Sequence, residues 1–199
     1  REVPESALYG VQTLRGIENF RISKFHLNEY PLFIQALAIT KMGATIANRE
    51  LDLLTEEQAD AILRACKEIL EGKHHEQFPV DMIQGGAGTT TNMNANEVIA
   101  NRALELTGHR RGEYQYFSPN DHVNRSQSTN DAYPTAIHIG LYYTHLKLVK
   151  HFRPLIESFR KKAEELAHII KMGRTQLEDA VPMTLGQTFN GFASILEHE

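Results

Sequence analysis

Tryptophan is absent and cysteine occurs once, at Cys66, which excludes an internal disulfide and fits a reducing, cytoplasmic setting. Cys66 falls on the apolar face of a helical pattern, the place of a small buried hydrophobe rather than a reactive thiol. No run of about eighteen apolar residues occurs, the length that a membrane-spanning helix needs. No charged-then-apolar signal segment opens the chain either. Basic residues form no stripe. The net charge is −4, and the pairs Arg110-Arg111 and Lys161-Lys162 read as ordinary solvated charges, so nucleic acid has no footprint here. The histidines show neither His-x-x-x-His spacing nor a cluster with cysteine, and His74-His75 merely follows a helix end, so no zinc site is expected. Acid pairs such as Glu164-Glu165 lie among lysines and read as solvent-facing.

What is present is a globular composition, 41% apolar and 23% charged, in a length sufficient for one or two domains with a real core. Residues 1–30 show no clear period and are expected to be mostly extended or irregular. Phe33, Ile34, Leu37, Ile39, Met42, Ala44 and Ile46 predict a buried helix over 31–54. Thr55-Glu56-Glu57-Gln58 is a capping box opening a second helix, whose apolar face is Ala59, Ile62, Leu63, Cys66, Ile69 and Leu70, and Gly72 ends it. A third helix is expected over 94–107, closed by Gly108. Ser118-Pro119-Asn120-Asp121 marks a turn. Asp131 is expected to cap the next helix, with Pro134 in its first turn and Pro154 kinking or restarting it. Apolar residues on more than one face of that helix (Ile137, Ile139, Leu141, Tyr142, Leu146, Leu148, Val149) predict burial among other helices up to about Ile170. A last helix begins near Thr184. The fold class is mainly α, with polar loops between long helices.

Three of those loops carry chemistry. In the first, Gly85-Gly86-Ala87-Gly88-Thr89-Thr90-Thr91-Asn92, glycines allow close backbone approach and threonines offer hydroxyls near a helix N-terminus; an anion cradle and a plain glycine-rich turn are both open. In the second, Ser126-Gln127-Ser128-Thr129-Asn130-Asp131, the same side chains suit a carboxylate and an ordinary N-cap. The third, residues 173–182, breaks a helical region with a dense polar cluster. There Arg174 either meets a ligand or ties the loop down through Glu178 or Asp179.

Taken together, these loops resemble the aspartase/fumarase superfamily, and within it the aspartate ammonia-lyases. The likeness is carried by Tyr9-Gly10-Val11-Gln12-Thr13-Leu14-Arg15 with Glu18-Asn19-Phe20, by residues 84–98, by 119–135 and by 171–187, in that order. Gly-Gly-Ala-Gly-Thr at 85–89 and Ser-Thr-Asn-Asp at 128–131 resemble aspartases more than fumarases. Gln176 stands where fumarases and some aspartases have His.

The resemblance implies reversible elimination of ammonia from L-aspartate to give fumarate, without a covalent cofactor. The proton beside the β-carboxylate is removed, and the charge is held as an aci form by preorganised donors, each worth about 2.7–4 kcal/mol. It implies Thr89, Ser128 and Thr129 at the β-carboxylate, and Asn130, Thr175 and Gln176 towards the amine or the other carboxylate, with Thr90 and Asn92 also substrate-binding. It further implies a homotetramer whose sites gather loops from three subunits, and Mg2+ as a possible activator near residues 117–124. The division it implies is an N-terminal domain over 1–128 and the start of a central helical bundle over 129–199, truncated. The family's base is a serine on a Gly-Ser-Ser loop, followed by a lysine, and neither occurs here. The chain is therefore expected to be an N-terminal piece, inactive alone, with apolar faces exposed around 132–170 and 184–199 and a tendency to self-associate. The readings kept beside this one are a class II fumarase piece and a non-catalytic assembly module.

Overall fold

The computed structural model describes residues 2–84 and 86–198. In chain order the elements are α1 (Val11–Asn19), α2 (Pro31–Glu50), α3 (Glu56–Leu70), α4 (Thr89–Leu106), α5 (Thr129–Glu165), β1 (Ile170–Thr175), β2 (Glu178–Thr184) and α6 (Leu185–His198). The class is mainly α, as the sequence predicts, with one small antiparallel sheet. Backbone proximity divides the chain into one unit up to Tyr142 and another from Tyr143. The division expected at 128/129 coincides instead with the start of α5.

The first unit is built on α2, α3 and α4. Pro31 opens α2 where an N–H would have no helical partner. Thr55 and Gln58 cap α3 reciprocally, side chain to backbone in both directions (3.1 and 3.2 Å). Gly72, at φ +88°, closes α3 by donating to Ile69 O while Lys73 donates to Glu68 O. Between these helices Ile34, Leu37, Ile62, Ile69, Val98, Ile99 and Leu104 are buried, each contributing about 1.5–3 kcal/mol. Cys66 lies fully inside, as predicted, and burial pushes its thiol up to about 12.

Residues 1–30 are less irregular than expected, because α1 forms there. No side chain of its own caps α1. The buried carboxylate of Glu97, on α4, accepts instead from the amides of Gly10 (2.9 Å), Gln12 (2.9 Å) and Thr13 (3.0 Å) and from the Thr13 hydroxyl (2.6 Å). An anion at a helix N-terminus does the work of a cap. Arg111, expected to be merely solvated, pairs with Glu105 and donates to the carbonyls of Glu5 and Ala7, tying the segment before α1 to the end of α4.

Further expectations are corrected. α4 begins at Thr89, not Asn94: a run of β-branched threonines argues against helix locally, but contacts described below outweigh that propensity. α5 begins at Thr129 and is capped by Ser128 rather than Asp131, so Pro134 is its sixth residue and lies beyond the first turn. It runs unbroken through Pro154 and stops at Glu165, short of Ile170. Its burial is also less than its apolar pattern predicts: Ala132, Ala136 and Gly140 are buried, while Leu141, Tyr142, Leu146, Leu148 and Val149 are exposed. A helix apolar on several faces needs a neighbour on each to be buried, and the exposure of Leu141, Leu146, Leu148 and Val149 agrees with the expectation of exposed apolar faces around 132–170.

In the second unit, the region read as a helix end and a polar loop is a hairpin. β1 pairs antiparallel with β2 from Ile170↔Thr184 to Thr175↔Glu178, with an irregularity between Met172 and Arg174. Gln176 and Leu177 turn the chain with φ of +48° and +68°, the mirror-image turn that matches strand twist. Neither residue type favours that conformation, so no local signal announces the turn. Arg174 pairs with Asp179 across the hairpin at 3.0 Å, the tie foreseen as one alternative. Thr184 and Gln187 cap α6 reciprocally, and Phe189 and Phe192 of α6 pack on Phe159 of α5.

Candidate functional site

The N-termini of α4 and α5 meet in the first unit. Gly88 precedes α4 with φ +83°, a conformation that costs side-chain-bearing residues about 1–2 kcal/mol. Having no side chain, Gly88 cannot cap. Gln84 does so from outside: its Oε1 accepts from the Thr91 amide at 3.0 Å, and its Nε2 donates to the Thr91 hydroxyl. Thr91 is therefore structural. The Thr90 methyl is turned towards α1, where a β-carbon on Gly16 would meet it at 2.3 Å. Thr89 is exposed at the helix end. Gly85 lies outside the described residues.

At α5, the Ser128 hydroxyl accepts from the Asn130 amide (3.1 Å), and the Ser128 carbonyl accepts from Asp131 and Ala132. Ser128 and Asn130 are exposed and Thr129 is half-buried. One bond joins the two helix ends directly: Asn92 Nδ2, from the first turn of α4, donates to Thr129 Oγ1 at 3.1 Å. Asn92 is 1% exposed, so it supports Thr129 from behind rather than standing open to a ligand. Tyr133 packs edge-on against Phe33 of α2. Thr89, Ser128, Thr129 and Asn130 thus stand at two adjoining helix ends whose dipoles both favour an anion.

Behind that junction lies a buried polar cluster that sequence reasoning missed. Lys41 of α2 is fully buried, and its ammonium donates to Asn124 Oδ1 (3.0 Å) and Gln127 Oε1 (2.9 Å). Asn124 Oδ1 also accepts from Asn92 Nδ2 (3.1 Å) and Asn96 Nδ2 (3.2 Å). No carboxylate among the described residues pairs with Lys41, and burial pulls its ammonium down to about 7. Asn92 Oδ1 and Asn96 Oδ1 are buried without a hydrogen-bond partner among the described residues. A signal was available: Leu37, Lys41 and Thr45 share one face of α2, and a lysine on a core face is unusual.

Thr175 and Gln176 stand in the second unit, at the end of β1 and in the hairpin turn. The segment 117–124, expected near an Mg2+ activator, does not fit a cation site. Its one carboxylate, Asp121, accepts from Ser118 Oγ at 2.8 Å, and Asn124 Oδ1 is filled by three N–H donors, one of them an ammonium. Among the described residues, no three His, Cys, Asp or Glu side chains gather as metal ligands, and no helix is long and apolar enough to cross a membrane.

Comparison with known proteins gives a consistent result. The profile of a family described as lyases matches residues 1–199. Aspartate ammonia-lyases from Pseudomonas canavaninivorans and Helicobacter pylori are 57% and 56% identical over 198 residues, the whole of this chain. That of Escherichia coli is 55% identical over 200 aligned positions. The chain spans 42% of the length of each of these proteins. Among solved structures, a fumarate lyase:delta crystallin from Brucella melitensis, crystallised with cobalt, superposes with a TM-score of 0.89 at 52% identity, covering all of this chain and 43% of that one. A class II fumarase from Schistosoma mansoni gives 0.83 at 38% identity, covering 98% of this chain and 41% of that one.

Proposed function

The chain belongs to this family of lyases, and from that premise we propose that the full-length protein is an aspartate ammonia-lyase, interconverting L-aspartate with fumarate and ammonia. The observation that carries the reading is the junction of two helix N-termini through Asn92 and Thr129, with Thr89 and Ser128 at the same ends. Hydroxyls there donate to a carboxylate without adding a titrating group that competes for the proton. The greater likeness to aspartate ammonia-lyases than to the fumarase supports ammonia rather than water as the leaving group.

In the proposed reaction a base takes the proton from the carbon beside the β-carboxylate. The electron pair moves into that carboxylate, which becomes a doubly charged aci form, and its return expels ammonia from the neighbouring carbon. Thr89, Ser128 and Thr129 hold the aci oxygens, each such donor being worth about 2.7–4 kcal/mol of barrier. By the family resemblance, Asn130, Thr175 and Gln176 have the role of facing the amine or the second carboxylate, in sites that gather loops from different subunits. The family's base is a serine on a Gly-Ser-Ser loop, a motif missing from these residues, so the 199-residue chain is inactive by itself. Assembly as a cytoplasmic homotetramer is part of the same reading, supported by the exposed Leu146, Leu148 and Val149 of α5. No step is routed through Mg2+.

The test is ammonia release from L-aspartate, by the full-length protein, by this chain alone, and by this chain mixed with a separately expressed remainder. Release by the full-length protein and the mixture only is the expected result. An assembled but silent full-length protein that hydrates fumarate would sink the reading in favour of a fumarase.

A further inference from the structure

We propose that Lys41 is a positioning residue for the Thr129 hydroxyl: through Asn124 and Asn92 it determines which way that hydroxyl points its hydrogen. The inference rests on the reading of Thr129 as a donor to the substrate carboxylate. Each link follows from donor and acceptor chemistry.

Lys41 Nζ donates to Asn124 at 3.0 Å and to Gln127 Oε1 at 2.9 Å, two bonds for which the charged or the neutral amine has hydrogens enough, so the group facing it is the oxygen of the Asn124 amide. The other end agrees, since Asn124 Nδ2 donates to the Gln127 carbonyl at 3.0 Å. With its oxygen turned inward, Asn124 offers Asn92 an acceptor, so Asn92 must present Nδ2 there, at 3.1 Å. The second hydrogen of that same Nδ2 reaches Thr129 Oγ1, also at 3.1 Å. Thr129 Oγ1 is thereby an acceptor on its inner side, and its single hydrogen is left for an acceptor outside.

The reversed arrangement is the informative alternative. Were Asn92 turned over, its Oδ1 would oppose Asn124 Oδ1, and it would draw the Thr129 hydrogen inward, away from any ligand. Lys41 forbids that state by fixing Asn124. The cost of the observed state is visible in the same place: Asn92 Oδ1 is left buried without a partner among the described residues. A core amide chain is here arranged so that a donor, not an acceptor, emerges at the helix junction.

The test combines kinetics with neutron diffraction on the full-length protein. Lys41→Met is expected to lower kcat for aspartate elimination by roughly 100-fold with KM changed little, and Thr129→Val by a similar factor. The double variant is expected to be no slower than either single one, because both remove the same donor. Neutron maps of the unsubstituted protein are expected to place the Thr129 hydrogen away from Asn92, and those of K41M to place it on Asn92 Oδ1. Additive kinetic losses, or a Thr129 hydrogen directed at Asn92 in the unsubstituted protein, would overturn the inference. Asn124→Leu cuts the relay in its middle and runs the same cycle if K41M does not fold. If the unsubstituted protein releases no ammonia, the functional reading fails, and the hydrogen positions still decide this one.

Discussion

The ring of Tyr133, one turn into α5, lies against the α-carbon of Gly88, which opens α4: a β-carbon on that glycine would come within 2.3 Å of the ring. The close approach brings the two helix ends together, and the left-handed φ of Gly88 adds a second reason for glycine. Gly88→Ala is expected to cost about 2–4 kcal/mol, part from the backbone and part from displacing Tyr133. Adding Tyr133→Ala should recover the steric part, read as a partial return of the urea midpoint. Strictly additive losses would rule the contact out as the cause.

Glu97 holds α1 by four hydrogen bonds. Glu97→Gln replaces an acceptor-only group with one that also donates, leaving amides of α1 unsatisfied at about 1–3 kcal/mol each. Hydrogen exchange is expected to accelerate through 11–19 while α2 and α3 keep their protection. A uniform acceleration would mean that Glu97 serves the whole unit rather than α1.

Ser128 serves as a helix cap in the structure and as a substrate donor in the proposal, and the two roles can be separated. Ser128→Asp keeps a good cap, so the melting temperature should move little, whereas Ser128→Ala should lose about 1 kcal/mol. Both should depress kcat/KM, and S128D more, since it opposes a carboxylate with a carboxylate. An active S128D enzyme would leave Ser128 with the cap alone.

Lys41 gives the first unit a pH dependence of definite sign. Burial lowers its folded value from 10.5 to about 7, so between these values the unfolded chain holds a proton that the folded one lacks. Stability therefore rises with pH, by up to about 1.4 kcal/mol per unit, and the whole cost of burying the cation is present below pH 7. Cys66, which faces Lys41 from α3, acts oppositely above pH 9, because its folded value is raised from 9.0 to about 12. Denaturant midpoints at pH 7, 8 and 9 should climb in the native sequence and stay level in K41M; a flat native profile would contradict the assignment.

Much of this was readable from residues alone, and the misses share a physical cause. The α3 helix was legible to its capping box because Thr55, Gln58 and Gly72 act over three or four residues. The start of α4 was missed because Gln84 and Gly88 override the reluctance of Thr89, Thr90 and Thr91 to be helical. The hairpin at 170–184 was missed because Gln176 and Leu177 are unusual occupants of a left-handed turn. That Ser128 and Thr129 lead into a helix was legible because capping chemistry is local. Lys41 and Asn124 were not, since each acquires its role only when α2 and the segment before α5 come together.

The carboxylate that holds α1 also bears on how the chain assembles. Glu97 stands 84 to 87 residues along the chain from the amides it accepts from, whereas α2 and α3 are consecutive helices joined by a short turn. Closing so long a loop must wait until α4 exists and carries its acidic side chain to the right spot. The amino-terminal helix is accordingly a late arrival on the folding route and an early departure on the way out, a latch fastened over a helical core already formed.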